Sequence, residues 1–316
     1  MLSRRRFLAL GGAALATAAG VPLYAWQVEP HWVEVVRRPM PLENLPPGLE
    51  GRTLLHLSDI HVGPRVSSAY LIETFDRARE LAPDFVVFTG DFVTYRSPQV
   101  YRELARVLRH VPNGRLGTVG ALGNHDYGFG WRHLGVADEI TRLAADAGIR
   151  VLRNETQVIG GLQLAGLADV WGPEFGAHAV KPNVIRVLPN GTEAFGQAPA
   201  DGRDAEATLA ALVRGLPTIV LAHNPDAQDL PIWHGVRGWS LAGHTHGGQV
   251  KPPFLPPPVL PVQNKRYVAG EYVVGAGRTL YINRGLGHLM QVRFNVRPEL
   301  TLFTLHRAAD NPDDVA

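Results

Sequence analysis

The chain contains no cysteine among its 316 residues. This absence excludes disulfide bonds and thiolate ligands, so any metal site must use imidazole, carboxylate or amide groups. Without cysteine, the composition also cannot indicate whether the protein works in an oxidising or a reducing compartment. The composition is 45% hydrophobic, which suits one large domain or two small ones with a substantial core.

A strong excess of positive charge is also lacking, although the isoelectric point is about 9.0. Three of the positive charges are Arg4, Arg5 and Arg6, and without them the formal net charge falls from +2 to −1. DNA- and RNA-binding proteins need a broad basic surface to neutralise phosphates. The rest of the chain is nearly neutral, which argues against a nucleic acid partner.

The N-terminus has the pattern of an export segment. Arg4 to Arg6 are followed by Phe7 and Leu8, which resembles the twin-arginine motif, and residues 7–28 carry no charge. A basic stretch before an apolar run is typical of targeting segments. Because the run is long enough to cross a bilayer, residues 1–30 are predicted to be a cleaved signal or a membrane anchor. After export by the twin-arginine translocase, we expect a periplasmic, wall-associated or membrane-anchored protein.

Strand-like and helix-like segments alternate from Thr53 onward. Strands are predicted at residues 53–57, 85–89, 118–122, 163–167, 218–222, 239–242, 279–283 and 300–305. Helices are predicted at 69–81, 99–111, 135–147 and 204–214, with Asp204 or Asp201 capping the last of them. We therefore divide the chain into the export segment, a proline-rich lead-in at 31–52, an α/β domain at 53–306 and a tail at 307–316.

Side chains that can bind metals follow five of these strands. They are Asp59 and His61, Asp91, Asn124 with His125 and Asp126, His223, and His244 with His246. The carboxyl ends of parallel strands meet at one edge of a sheet, where their loops build sites. The spacing of two residues in Asp59-x-His61 and His244-x-His246 would direct both members to one side of an extended segment. The sequence therefore predicts one site for two divalent ions, for which Mn, Fe and Zn are candidates.

The motifs Asp-x-His, Gly-Asp, Gly-Asn-His-Asp, His and Gly-His-x-His, in this order, resemble those of the calcineurin-like metallophosphoesterases. The strings at residues 222–226, 243–250 and 284–287 are similar to the exported phosphodiesterases of the YkuE/YaeI type. The resemblance covers roughly residues 54–305. It implies a four-layered α/β/β/α sandwich with a dinuclear metal site at one edge of the sheets.

The resemblance also implies a role for each residue. One ion would be held by Asp59, His61, Asp91 and His246, and the other by Asp91, Asn124, His223 and His244. His125 would lie beside the ions and donate a proton to the leaving oxygen, and Asp126 would orient it. Arg65 and Tyr127 follow two of the motifs closely, and we treat them as candidate substrate-binding residues.

One position departs from the protein phosphatases of this family, which carry a second carboxylate three residues after the bridging Asp. Here that residue is Thr94, which favours a phosphodiester or nucleotide-type ester over a phosphoprotein. Together with the export segment, the sequence predicts hydrolysis of a phosphodiester or pyrophosphate in a lipid, a wall polymer or a nucleotide-linked glycolipid of the envelope. A phosphomonoesterase or nucleotidase, and a metal-bound envelope-binding module without turnover, are the alternatives.

Overall fold

The computed structural model describes residues 20–179, 204–275 and 277–308. The predicted export segment up to residue 19, the alternative cap Asp201 and the predicted tail from residue 309 lie outside these ranges. Within the described ranges, twelve strands form two six-stranded sheets. No helix of these ranges has the length and apolar character needed to cross a membrane.

The first sheet is built mainly from the first half of the chain. Its strands are β1 (Glu34–Leu42), β2 (Thr53–Leu57), β3 (Phe85–Thr89), β4 (Gly117–Ala121), β5 (Arg150–Val151) and β12 (Glu299–Arg307). Their order is β1-β12-β2-β3-β4-β5. Strands β2 to β5 are parallel, and β12 runs antiparallel to β2 and parallel to β1.

The second sheet also has a parallel centre. Its strands are β6 (Glu155–Ile159), β7 (Leu162–Gly166), β8 (Thr218–Leu221), β9 (Gly238–Ala242), β10 (Gly270–Gly275) and β11 (Arg278–Ile282). Their order is β10-β11-β9-β8-β7-β6. Strands β7, β8, β9 and β11 are parallel, and hairpin partners β6 and β10 close the two edges.

The two sheets pack face to face and helices cover their outer faces. The helices are α1 (Ser68–Glu80), α2 (Pro98–Leu108), α3 (Leu134–Asp146) and α4 (Ala205–Ala210). Successive residues of β2 point to opposite faces: Leu54 packs into the core between the sheets, whereas Leu55 packs under α1 to α3. A further core lies beneath α4 on the second sheet. This arrangement is the four-layered α/β/β/α sandwich that the sequence predicts.

All eight predicted strands form, with ends shifted by no more than two residues, and all four predicted helices form. Asp204 caps α4 by accepting a hydrogen bond from the N–H of Ala207 at 2.8 Å. The helix predicted at 204–214 ends at Ala210 because the chain then turns, and the N–H of Val213 bonds to the Gln163 side chain at 2.9 Å.

The sequence does not predict β1, β5, β6 and β10. Strand β1 lies in the proline-rich lead-in and contains Pro39 and Pro41. These residues are tolerated because β1 is an edge strand with one neighbour. Strand β5 has only two residues, and β6 and β10 lie at half-exposed edges, so their apolar signal is weak.

Asp84 joins the starts of β2, β3 and β4. Its carboxylate, which is 4% exposed, accepts hydrogen bonds from the N–H of Thr53 at 2.8 Å and from the guanidinium groups of Arg52 at 3.2 Å and Arg115 at 2.9 Å. Burial alone would raise its pKa, but the bonds from Thr53 and the charges of Arg115 and Arg52 outweigh burial, and the pKa is lowered.

We expect Asp84→Asn to lower the free energy of unfolding by about 1–3 kcal/mol at neutral pH, because several donors lose a charged acceptor. The folded-state pKa is below the unfolded value of about 4, so this stabilisation is present above pH ~4 and is lost as the pH falls further. Urea unfolding of both proteins at pH 7 and near pH 3 would check this. An equal difference at the two pH values would contradict it.

Candidate metal centre

Six of the seven predicted metal ligands converge in two buried groups. The groups are Asp59, His61 and His246, and Asp91, His223 and His244. Within each group, the donor atoms all lie within 4.8 Å of one another. These residues follow the carboxyl ends of β2, β3, β8 and β9, so parallel strands of both sheets deliver them to one edge.

Asp91, a member of the second group, also faces the first. Its Oδ2 atom is 3.5 Å from Nε2 of His61 and 3.3 Å from Nε2 of His223. The other carboxylate oxygen, Oδ1, accepts a hydrogen bond from the N–H of His125 at 2.9 Å. Asp91 therefore occupies the place that a residue shared by two ions requires.

The seventh predicted ligand, Asn124, has a buried side chain that is 1% exposed. Its amide oxygen Oδ1 has no hydrogen-bond partner among the described residues. Buried polar atoms without partners are rare and call for an explanation such as a missing ion. Asn124 directly precedes His125, whose N–H binds Asp91, so its orphaned oxygen suits the group that contains Asp91.

Contacts between imidazole rings give a second test of whether these residues fit bound ions. Nε2 of His61 lies 3.1 Å from Nε2 of His246, and Nδ1 of His244 lies 3.1 Å from Nε2 of His223. Two ring lone pairs at this distance repel each other unless a proton or a cation lies between them. The nitrogen and oxygen donor set, the orphaned Asn124 oxygen and these close pairs all fit divalent cations.

Hydrogen bonds at the outer ring nitrogens fix which nitrogen faces each group. Nδ1 of His223 donates to the carbonyl of Thr89 at 2.5 Å, and Nε2 of His244 donates to the carbonyl of Pro261 at 3.0 Å. Partners of this kind set the tautomer and orientation of ligating histidines in metalloproteins. They leave Nε2 of His223 and Nδ1 of His244 for the metal site.

Burial controls the charge of several of these groups. It lowers the pKa of His61 and of His244 to about 3, so both rings are neutral near pH 7 and can offer lone pairs. Burial raises the pKa of Asp59 to about 6. Burial opposes ionisation of Asp91 as well, but the electrostatic interactions with His223 and His125 outweigh it and hold the pKa of Asp91 well below its usual range.

The backbone at the site is strained. Asp59, His61, Asp91, His244 and His246 have φ angles of 51°, 47°, 55°, 69° and 49°. Such left-handed conformations are costly for residues other than glycine and tend to cluster at functional sites. This finding corrects the expectation that Asp59-x-His61 and His244-x-His246 are extended segments. Asp59 and His61 reach the same donor group from left-handed positions, whereas His244 and His246 reach different groups.

Glycines allow close approach of the loops around the site. A Cβ atom added to Gly90 would lie 2.2 Å from the backbone nitrogen of Gly123, and one added to Gly243 would lie 1.9 Å from Oγ of Ser58. The loop after β3 can therefore meet the loop after β4, and the loop after β9 can meet the loop after β2, only if these positions lack a side chain.

His125 lies beside the first group with its ring half-buried. Its centroid is 5.1 Å from that of His61, in an edge-to-face arrangement. Nδ1 donates to the backbone carbonyl of Thr94 at 3.1 Å, which leaves Nε2 for a reacting group. Thr94 thus orients His125 through its main chain, although its side chain cannot replace the missing carboxylate.

The expected contact between Asp126 and the His125 ring is absent from the described residues. The buried Asp126 carboxylate accepts hydrogen bonds from the N–H groups of Asp91, Phe92 and Gly123 at 2.8–2.9 Å. This corrects the prediction that Asp126 orients His125. The carboxylate instead ties together the loops that carry Asp91 and Asn124.

The two candidate substrate-binding residues have different positions. Tyr127 is 0% exposed and its hydroxyl donates to Glu174 at 2.9 Å, so the prediction that it contacts substrate is wrong. Arg65 is exposed and its guanidinium donates to the carbonyl of Leu289. Its substrate contact stays a prediction.

Sequence reasoning did not find the residues that support the ligands. The edge of Trp171 contacts the ring of His244, with centroids 4.6 Å apart. The buried Arg293 donates to the carbonyls of Arg284, Gly285 and Gly287 at 2.7–3.0 Å. A Cβ added to Gly285 would lie 2.7 Å from Cβ of Asp59, so this loop presses on the site. The sequence motif at 284–287 could have indicated the importance of this loop, whereas no motif includes Arg293.

Known proteins share this combination of sequence and fold. A sequence model of the calcineurin-like phosphoesterase family matches residues 52–256. The chain is 32% identical to phosphodiesterase YaeI of Escherichia coli, over 96% of this chain and 100% of that protein. It is 33% identical to the metallophosphoesterase YkuE of Bacillus subtilis, over 96% of this chain and 98% of that protein.

A more distant relative has a named substrate. The chain is 26% identical to the UDP-2,3-diacylglucosamine pyrophosphatase LpxG of Chlamydia trachomatis, over 92% of this chain and 95% of that protein. The family uses a dinuclear divalent metal centre, and this chain has two buried candidate groups of metal donors. The chain therefore belongs to the calcineurin-like metallophosphoesterases, the metal-dependent phosphoric ester hydrolases whose motifs and fold it carries.

Proposed function

We propose that this protein hydrolyses a phosphodiester or pyrophosphate of the cell envelope, outside the cytoplasm. The observation that carries the proposal is the pair of buried donor groups joined through Asp91, with His125 next to them and outside both groups. A module that only binds metal has no use for an acid at that place. The arrangement therefore favours turnover.

The residues of the site divide the chemistry between them. Bound divalent ions would polarise the phosphoryl oxygens and stabilise the charge that develops during an in-line displacement. Asp91 is a member of the second group and also faces His61 of the first, so it would be shared by both ions. Asn124 offers a neutral oxygen, which limits the negative charge that an anionic phosphoester meets. His125, held by the Thr94 carbonyl, would give its Nε2 proton to the leaving oxygen.

Two observations support a diester or pyrophosphate substrate. The position of the second carboxylate of the protein phosphatases is Thr94 in this chain. Of the relatives, YaeI is named a phosphodiesterase and LpxG a pyrophosphatase of a nucleotide-linked glycolipid. The twin-arginine pattern at Arg4 to Arg6 and the uncharged run at 7–28 support export to the envelope.

A comparison of model substrates tests the reaction class. We expect the purified full chain to prefer bis-p-nitrophenyl phosphate to p-nitrophenyl phosphate by at least about tenfold in kcat/KM, or about 1.4 kcal/mol in activation free energy. Chelation should abolish the activity and added Mn should restore it. In fractionated cells, the activity should appear outside the cytoplasmic fraction. A preference for the monoester would favour a nucleotidase, and two ions per chain without turnover on lipid, wall-polymer and nucleotide esters would favour a binding module.

A further inference from the structure

Three chain segments form one surface beside the metal centre. We call it the rim surface and define it as residues 20–32, 249–262 and 284–297. Backbone hydrogen bonds join the segments: Arg293 donates to the carbonyl of Ala25 at 2.8 Å, and Phe294 donates to the carbonyl of Gln249 at 2.9 Å. The segments are therefore parts of one structure and not independent loops.

The rim surface borders the metal centre directly. The carbonyl of Pro261 accepts the hydrogen bond from His244. A Cβ added to Gly248, two residues after His246, would lie 2.2 Å from Cβ of Pro257. The proline-rich segment 249–262 therefore packs against the loop that carries two metal ligands.

Large apolar side chains of the rim surface face solvent. They are Leu23, Trp26, Phe254, Leu255, Val259 and Met290, each of which is more than half exposed, and Phe254 is fully exposed. Single exposed apolar residues are common, but a cluster indicates an interaction site. The cluster on the rim surface therefore indicates a partner with an apolar component.

The backbone at Phe254 adds a second observation. Its φ angle is 65°, a conformation that is unfavourable for a bulky residue. No burial within the described residues compensates for this cost, because the ring is fully exposed. Pro252, Pro253 and Pro256 restrict the neighbouring φ angles. The restricted backbone therefore presents Phe254 to solvent.

The basic residues of the rim surface that reach solvent are Lys251 and the half-buried Arg297, because Arg293 is buried and Arg284 is paired with Glu34 and Glu299. The three segments contain one carboxylate, Glu29, which is buried and accepts the N–H of Val296 at 2.5 Å. Lys251 is exposed, and the guanidinium of Arg297 stacks on Trp32 at 3.6 Å from the ring centroid. Basic residues next to exposed aromatic and aliphatic ones suit a partner that is anionic at its surface and apolar below it.

The composition of the preceding chain favours one kind of partner. Residues 7–19 carry no charge, and the chain enters the rim surface at Gly20. An apolar run therefore leads into a surface that is itself apolar and basic. A lipid bilayer with anionic headgroups would match both features, whereas a soluble protein partner would account for the rim surface alone.

We propose that the rim surface docks on an anionic phospholipid bilayer, with Phe254 and Leu255 inserted at the level of the headgroups. The metal centre would then open beside the boundary between lipid and water. The functional role of this contact rests on the proposed envelope substrate, but the contact itself can be measured without any enzymatic activity. If the protein contacts lipid but has no activity, the proposed function is wrong and the docking proposal stands. If it is active but does not contact lipid, only the docking proposal is wrong.

Because the chain has no cysteine, single labels can be placed cleanly on the full-length protein. We would label Phe254→Cys and Met290→Cys with an environment-sensitive fluorophore in vesicles of phosphatidylglycerol and phosphatidylcholine. The emission should shift to shorter wavelength, and lipids with a quencher near the headgroup should quench it at least roughly threefold more than at a control site. Vesicles of phosphatidylcholine alone should reduce the quenching.

Val213→Cys is the matched control, because Val213 is an exposed apolar residue and its backbone bonds to Gln163 near the start of β7, at the other end of the parallel strands. Equal quenching at Phe254 and Val213 would overturn the proposal, as would a water-exposed signal at Phe254 in anionic vesicles. Quenching that does not depend on anionic lipid would overturn its electrostatic part. Thermal unfolding of each labelled protein verifies that the fold is retained.

Discussion

An Asp91→Ala variant should lose at least about a thousandfold in kcat/KM for a soluble phosphodiester. Bound ions contribute several kcal/mol of stabilisation to the transition state, and each 1.36 kcal/mol changes the rate tenfold. Asp91 is the residue within 3.5 Å of histidines from both donor groups, so its removal affects both groups at once. Metal analysis of the purified variant should find fewer ions per chain than in the unchanged protein.

The matched control is Asp76→Ala. Asp76 lies on α1, is half exposed and pairs with Arg79 on the same helix, so its removal should change neither activity nor metal content. Asp91 also accepts the N–H of His125, and Asp91→Asn keeps an acceptor for that bond while removing the charge. If Asp91→Asn kept full activity and two ions per chain, the assignment of Asp91 as the shared ligand would be wrong.

The position of the site was predictable because of where its residues stand in the chain. Each ligand follows an apolar run that forms a parallel strand, and Asp59, Asp91 and His223 stand within two residues of a strand end. Strand order then brings these ends together. The position of each residue after a strand and the meeting of the strand ends can both be predicted without knowledge of side-chain contacts, so the sequence was sufficient.

The local conformation of the ligands was not predictable in the same way. A spacing of two residues fits an extended segment, but His61 and His246 adopt left-handed conformations. Propensity disfavours these conformations, and only the surrounding contacts enforce them. One such contact comes from Gly287, whose N–H bonds to the carbonyl of Asp59, more than two hundred residues away in sequence.

The role of Asp126 was mistaken for a related reason. Its position next to His125 suggests an interaction between neighbours, but the carboxylate turns away toward the N–H groups of Asp91 and Phe92. Burial raises the pKa of Asp126 well above its usual value, and the negative charge of Asp91 adds to this effect. The Asp126 carboxyl group holds two loops together through hydrogen bonds from backbone N–H groups. Because every residue except proline has such an N–H group, the sequence does not show which of them Asp126 binds.

Replacement of His125 by asparagine tests proton donation, and its effect should depend on the leaving group. General acid catalysis contributes typically 10²–10⁴-fold to the rate. A diester whose leaving group is an aliphatic alcohol needs a proton as the bond breaks, so we expect a loss of this size in kcat. A p-nitrophenyl diester releases a stable anion and should lose much less.

The metal content of His125→Asn should be unchanged, because His125 is not among the donors of either group. His110→Asn is the control, since His110 is a partly exposed histidine near the end of α2. A series of diesters with alcohols of increasing pKa, assayed with all three proteins, separates the possible roles. Equal losses across the series would show that His125 positions substrate instead of donating a proton, and a loss of metal would make it a ligand. A steeper dependence on leaving-group pKa in the variant would follow only from proton transfer, because positioning contributes equally to every member of the series.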